Sequence, residues 1–310
     1  MAEREIRLSV VLPAFNVQQH LDQCMESLVR QTLTGVEYIC IDDGSSDRSL
    51  RILRDYERYD ARFRVMAQAN AGVAVTRNRG IAEARGKYVA FMDPDDLYPE
   101  PTTLEKLWDA AETHGVAIAG GSWSEQHPTW VRTSFEGIYD QYTFERDELL
   151  TYADYQFDYG FHRFIYSLDL LRTHDIGFPE LIRFQDPPFF VRAMVAAGEF
   201  YALAEPTYRY RWGHQKLDWN HRRTLAVLTG LQDVLRDAAD HHLDDLRALT
   251  WWRLTTEYRS RFTARILLGD VKILEALIEC MKWAPSEQAA AEISTMIAEG
   301  HPSVTEARAG

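Results

Sequence analysis

The sequence predicts an α/β protein with a mostly parallel sheet flanked by helices, followed by a helical C-terminal appendage. Three observations carry this. Short apolar runs rich in β-branched and aromatic residues alternate with amphipathic helical patterns through the first hundred residues. Several of those runs stop at clusters of small polar and acidic residues. From about residue 221 to 300 only helical periodicity remains. The expected organisation is a first domain over residues 1–215, divided near residue 100, and a helical region over 216–310.

In order, Leu8–Pro13 reads as a buried strand, and Val17–Thr32 as a helix with Leu21, Cys24, Met25, Leu28 and Val29 on one face. Val36–Ile41 is a second strand, ending at Asp42-Asp43-Gly44-Ser45-Ser46-Asp47. Those small polar residues form a turn and cap a helix carrying Leu50, Leu53 and Tyr56. Phe63–Ala67 is a third strand, and Asn70-Ala71-Gly72 turns the chain into a helix that stops at Gly86. Lys87–Met92 is a fourth strand. Pro99 and Pro101 open a helix to about His114, and Val116–Ala119 is a further strand. From Gly120 to about Tyr159 regular patterning dissolves into a mixed aromatic and polar stretch. Trp123, Trp130, Tyr139 and Tyr142 are candidate binding-wall residues within it, each also readable as packing.

The chain has 310 residues, 46% hydrophobic and 26% charged, which suffices for a sizeable core. A net charge of -13 argues against general nucleic-acid binding. The three cysteines, Cys24, Cys40 and Cys280, lack metal-type spacing and read as buried reduced thiols of a cytoplasmic protein. The charged start leads straight into a strand, so no signal peptide is expected, and no apolar run approaches the length of a membrane span.

The fourth strand ends in three carboxylates within four residues, Asp93-Pro94-Asp95-Asp96. Pro94 cannot donate a ladder hydrogen bond and holds Asp93 extended, so the acids should project from the carboxyl edge of the sheet. Ligands bind at that edge in open α/β sheets. Clustered carboxylates repel unless something positive lies between them, and a hard divalent cation is the natural candidate. Alone, such a cluster reads more readily as a solvated acidic turn capping the next helix.

Five segments together change that balance: Ser9-Val-Val-Leu-Pro-Ala-Phe-Asn16, Ile41-Asp-Asp-Gly-Ser-Ser-Asp47, Gln68-Ala-Asn-Ala-Gly72, Thr76-Arg-Asn-Arg-Gly80 and Gly86-Lys-Tyr-Val-Ala-Phe-Met-Asp-Pro-Asp-Asp96. In this order and spacing the chain resembles family 2 glycosyltransferases, the nucleotide-sugar-dependent inverting group with the GT-A fold. The resemblance covers roughly residues 7–100 and continues more weakly over about 160–214. It implies that residues 1–100 form a nucleotide-binding half and 101–215 the acceptor side with the base. Pro13, Phe15 and Asn16 of the first turn would lie about the nucleotide base, with Phe15 against its face and Asp43 accepting its imide hydrogen. Asn70 would approach the base, Arg77 the nucleotide or its diphosphate, and Asp93 the ribose. Asp95 would hold Mn²⁺ or Mg²⁺, with His214 as a second protein ligand. Arg209 and Arg211 read either as diphosphate partners or as strand exterior. Asp186 would be the catalytic base. Here it follows Gln185 where family members commonly carry a glutamate, which removes a neighbouring negative charge. Asp186 also reads as a cap for the helix beginning at Pro187-Pro188.

The resemblance implies an enzyme transferring a hexosyl or N-acetylhexosaminyl group from a UDP-sugar to a hydroxyl of a bacterial glycan or glycoconjugate. The alternatives are a nucleotidyltransferase of similar fold and a catalytically silent sugar- or partner-binding module. In the tail, helices are expected over His221–Ala239, Leu243–Leu268, Val271–Trp283 and Ser286–Glu299. The stripe Trp251, Trp252, Leu254, Tyr258, Phe262, Ile266 and Leu267 reads first as packing. A homodimer contact or a peripheral face on the inner side of the membrane are the alternatives.

Overall fold

The computed structural model describes residues 5–213 and 218–300. The described residues divide into two compact units. One lies within Met1–Tyr155, Tyr159–Glu180 and Ala193–Gln215, the other within Gln156–Asp158, Leu181–Arg192 and Lys216–Gly310. The segment bearing Gln185 and Asp186 therefore groups with the helical tail, not with the sheet, contrary to the expected division at residue 215.

The first unit begins with strands β1 (Leu8–Ala14), β2 (Val36–Asp42), β3 (Phe63–Ala67) and β4 (Tyr88–Phe91), joined by helices α1 (Leu21–Val29), α2 (Ser49–Tyr59) and α3 (Val73–Glu83). Each crossover returns the chain parallel to its predecessor, so β3, β2, β1 and β4 lie side by side and parallel. Every residue of β1 and β2 is buried, as a sheet covered on both faces requires.

Then follow α4 (Thr103–His114), β5 (Ile118–Gln126), β6 (Val131–Arg132), β7 (Glu148–Thr151), α5 (Tyr152–Tyr155), β8 (Phe164–Ser167), α6 (Leu168–Thr173), α7 (Asp186–Ala197) and β9 (Glu199–Arg211). These complete one sheet in the order β3-β2-β1-β4-β8-β5-β9-β7, with β6 on β5. The sheet is mixed. β8 is antiparallel to both β4 and β5, and β7 to β9, while β5 and β9 are parallel. The expectation of a mostly parallel sheet holds for residues 8–91 and gives way beyond them.

The patternless stretch after Ala119 is in part strand. β5 runs on through Gly120 and Gly121 because its neighbours leave no room for side chains there. A Cβ at Gly120 would stand 1.9 Å from Phe164 Cδ1, and one at Gly121 2.4 Å from Thr207 Cγ2. Opposite, β9 shifts register between Leu203 and Pro206, a bulge that accommodates the proline within one continuous strand.

The second unit contains α8 (His221–Asp240), α9 (Asp244–Trp252), α10 (Arg259–Leu267), α11 (Val271–Cys280) and α12 (Glu287–Gly300). The single helix expected over 243–268 is split by a π-helical turn at Arg253–Glu257, where Tyr258 N–H donates to Arg253 C=O across 2.9 Å. Arg253 is fully buried there, its Nη1 donating to both oxygens of the equally buried Asp158 at 2.6 Å. Trp251, Leu254, Phe262 and Ile266 pack into this unit's core with Val227, Leu228, Leu231 and Leu235, so most of the tail's apolar stripe is internal packing. All three cysteines are buried free thiols. No helix among the described residues is long and apolar enough to cross a membrane.

Candidate active site

The parallel half places the carboxyl ends of β1, β2 and β4 along one edge of the sheet. Two antiparallel steps, β4 to β8 and β8 to β5, restore the original direction, so β5 and β9 also end at that edge. Pro13 helps to open it. Met92 N–H donates to Val11 C=O at 3.0 Å, and the next rung between these strands would need the N–H that Pro13 lacks.

Beyond β4 the chain makes a tight turn, Asp96 N–H donating to Asp93 C=O at 3.0 Å with Pro94 at the second position. Each end of the turn is held separately. Asp93 Oδ1 accepts from Arg77 Nη2 at 2.7 Å, and Oδ2 lies 3.1 Å from His162 Nε2. Arg77 is only 2% exposed, its guanidinium within 5.1 Å of the ring centroids of Phe161 and Phe178. Burial pushes the Asp93 carboxyl up, but the charges of Arg77 and then His162 outweigh it and hold Asp93 well below the usual carboxylate range. Arg77, expected at the nucleotide, is thus committed to an ion pair inside the protein.

Asp96 is fully buried. Its Oδ2 accepts from the Tyr208 hydroxyl at 2.7 Å and its Oδ1 from Arg211 N–H at 2.7 Å, while the same hydroxyl accepts from Asp93 N–H at 3.2 Å. Burial, with the charges of Asp95 and Asp93, pushes Asp96 well above the usual carboxylate range. Asp96 therefore braces the turn; the next helix begins only at Thr103, so it caps nothing. Arg211, weighed as a diphosphate partner, donates from Nε to Asp95 C=O at 2.8 Å and from Nη2 to Gln23 Oε1 at 2.6 Å.

Oxygens of Asp93, Asp95 and Asp96 lie within 4.8 Å of one another. Three hard oxygen donors at this spacing fit a divalent cation such as Mn²⁺ or Mg²⁺. Burial raises Asp96 most, and the repulsion from Asp95 and Asp93 that adds to it is the part such a cation would relieve. The other expected ligand, His214, lies outside the described residues.

At the neighbouring strand ends, Phe15 is 50% exposed directly after β1, which rules out core packing. Asn16 adopts a left-handed conformation (φ 51°), and its Oδ1 accepts from Ser46 N–H at 2.8 Å, tying the first turn to the second. Asp43 is nearly buried. It accepts from Ala71 N–H (2.8 Å), Gln68 Nε2 (2.8 Å) and Gly72 N–H (2.9 Å), and its own C=O accepts from Asn70 Nδ2 at 3.0 Å. A carboxylate has about four acceptor positions, so Asp43 keeps about one for a ligand. Of the residues expected around the nucleotide base, Phe15 is exposed while Asn16, Asp43 and Asn70 build the loops.

Asp186 is the first residue of α7 and half-buried. The preceding Phe184 is left-handed (φ 65°), a strained conformation for an aromatic residue. Within the helical unit it packs edge-on to Tyr258, and its carbonyl lies so close to Gly230 of α8 that a Cβ there would stand 2.6 Å away. The helical tail thus fixes the backbone immediately before Asp186.

The family model described as glycosyl transferase family 2 matches residues 9–172, more than half of the chain. The chain belongs to that family. It is 36% identical over 209 residues to the uncharacterised glycosyltransferase EpsJ of Bacillus subtilis, covering 66% of this chain and 60% of the relative. To the uncharacterised glycosyltransferase YibD of Escherichia coli it is 44% identical over 129 residues, covering 40% of this chain and 37% of the relative. The chain therefore matches less than two thirds of the length of either. In fold it is similar to S. aureus TarS 1-349, solved in complex with UDP, with a TM-score of 0.75 at 18% identity, covering 98% of this chain and 91% of that one.

For a chain of this family, the residues that sequence reasoning passed over are His162 and Tyr208. Neither stands in a recognisable motif. They reach the acidic turn because β8, which His162 shortly precedes, pairs with β4, and β9, which carries Tyr208, lies two strands further on, bringing side chains 69 and 115 positions away against Asp93. Trp123, a candidate wall residue, is buried and stacked with Tyr142 and Tyr208 at 5.2 Å; it supports the site from behind.

Proposed function

We propose that this family 2 member is an inverting glycosyltransferase. It moves a sugar from a UDP-linked donor to a hydroxyl of a glycan or glycoconjugate acceptor. The observation that carries this is the braced carboxylate cluster Asp93, Asp95 and Asp96 at the carboxyl edge of the sheet, with exposed Phe15 at the end of β1. The fold is shared with TarS, which has been solved with UDP and with UDP-GlcNAc, and with a Pyrobaculum calidifontis mannosyltransferase solved with GDP-Man and Mn²⁺. These complexes support a nucleotide-sugar donor.

In this reading Phe15 stacks on the base, Asp43 offers its remaining acceptor position to the base imide, and Asp95 with its neighbours holds Mn²⁺ or Mg²⁺. A bound divalent ion supplies positive charge to the diphosphate. Asp186 takes the proton from the acceptor hydroxyl as its oxygen bonds to the anomeric carbon. The bond from that carbon to the diphosphate oxygen breaks with its electron pair, and the nucleoside diphosphate leaves. Direct attack inverts the anomeric centre, and a positioned base contributes about 10²–10⁴-fold. The buried free thiols support a cytoplasmic site of action. Exposed Leu267, Leu268, Val271 and Ile278 support a contact face on the helical unit.

A panel of UDP- and GDP-sugars with Mn²⁺, scored by nucleoside diphosphate release, tests this. Turnover is expected with at least one UDP-sugar, with Asp186→Asn losing about 10²-fold or more while still binding UDP. Pyrophosphate release instead would make the chain a nucleotidyltransferase. UDP binding without any turnover would make it a silent binding module.

A further inference from the structure

Past the acidic turn, β5 and β9 run on side by side to Gln126 and Arg211. Two indoles stand where the pair ends. Trp130 is 53% exposed and Trp212 55% exposed. A single exposed tryptophan is ordinary, but these two are joined through one imidazole. The His127 ring lies 4.0 Å from the Trp130 ring at an interplanar angle of 1°, and 5.1 Å from the Trp212 ring at 30°. Backbone hydrogen bonds fix the arrangement: His127 N–H donates to Trp130 C=O at 2.9 Å and Trp212 N–H to Gln126 C=O at 3.0 Å. Glu125 Oε2 sits 3.3 Å from His127 Nε2 and 3.8 Å from an Arg132 guanidinium nitrogen.

We propose that Trp130 and Trp212, with the His127 ring packed against both, form a saccharide-binding platform, the acceptor subsite of the transfer described above, on which reading this inference rests. Flat, rigid rings kept in water suit the C–H faces of pyranose rings, which carry too little apolar surface to bury in a closed pocket. The carboxylate and guanidinium at its rim suit the ring hydroxyls. Position agrees: Trp212 directly follows Arg211, whose backbone N–H and Nε hold Asp96 and the Asp95 carbonyl. The platform is thus tied through one residue to the acidic turn. Its occupant is an oligosaccharide and not a monosaccharide, since two separate exposed indoles each offer a stacking partner to a different sugar ring.

The full chain labelled with 5-fluorotryptophan tests this by fluorine NMR. Trp130 and Trp212 are assigned from Trp130→Ala and Trp212→Ala, which are exposed and leave the fold intact. The probes are chitotriose, cellotriose and maltotriose at millimolar concentration, and separately UDP with Mn²⁺. At least one trisaccharide is expected to move both resonances, with binding about tenfold weaker in each variant. If no trisaccharide moves either resonance, or if both variants bind as the parent does, the platform does not exist. Saccharide binding without UDP binding would remove the proposed function and leave the platform; UDP binding without saccharide binding would do the reverse.

Discussion

Replacing Arg77 by methionine separates what the family resemblance implies from what the structure displays. Arg77 is 2% exposed and its Nη2 lies 2.7 Å from Asp93, which is 26% exposed. Removing one partner of a buried ion pair costs about 3–5 kcal/mol, and the part-exposed carboxylate puts this pair at about 3 kcal/mol, the low end. His162 remains on Asp93, and methionine retains part of the packing against Phe161 and Phe178. A domain of this size loses about 2–4 °C of melting temperature per kcal/mol, so the variant should melt about 6–12 °C below the parent at pH 7. The pH dependence carries a definite sign. Asp93 is held below its unfolded value, so its contribution is fully present above the ordinary aspartate range. It is lost as pH falls through the depressed folded value. The gap between the two proteins should stay constant down to about pH 5 and narrow below about pH 4. Thermal melts by circular dichroism across this range measure it, with Arg77→Lys falling between because a point charge cannot stack as guanidinium does. A variant melting within about 2 °C of the parent, but binding UDP tenfold more weakly, would refute the reasoning and return Arg77 to the nucleotide.

Three further outcomes are expected. Phe15→Ala, at a half-exposed ring, should leave the melting temperature unchanged and weaken UDP binding about tenfold by calorimetry. Gly120→Ala should lower stability by about 1–3 kcal/mol in urea denaturation, because its Cβ would stand 1.9 Å from Phe164 and the strands must part. Gly230→Ala should displace the Phe184 carbonyl, 2.6 Å from the new Cβ, and slow single-turnover sugar transfer by about 10²-fold with UDP affinity unchanged.

The parallel half was legible because its order is local. Each strand from Leu8 to Phe91 is a buried apolar run separated from the next by a helix with one apolar face, and the links are short. The acidic turn was legible as the end of a strand for the same reason, from a proline and three carboxylates closing an apolar run, while its place in a site rested on the five segments together. Beyond residue 119 the signals change character. Gly120 and Gly121 look like a break in any propensity reading, yet they are strand residues selected by the closeness of Phe164 and Thr207, which lie far away in sequence. The π-helical turn at Arg253 hides in the same way, because its buried partner, Asp158, lies 95 positions away. Such pairings leave no local periodicity to read.

At the site, the three acids divide the labour in a way that no spacing rule could have assigned. They are alike in sequence and different in surroundings. Asp93 is compensated by a buried guanidinium and an imidazole and stays ionised. Asp96 is enclosed by Tyr208 and the Arg211 backbone, and burial with the charges of its two neighbours pushes its carboxyl well above the usual carboxylate range. The two are locked through one hydroxyl, that of Tyr208, which accepts from the first and donates to the second. Asp95 stands between two anchored neighbours, so its position is set before any ligand arrives. Pre-organisation of this kind lowers the entropy that a bound cation would otherwise have to overcome. The bracing groups come from outside the turn's own strand, Arg77 from α3, His162 from just ahead of β8, and Tyr208 and Arg211 from β9, and they hold three carboxylates within 4.8 Å of one another.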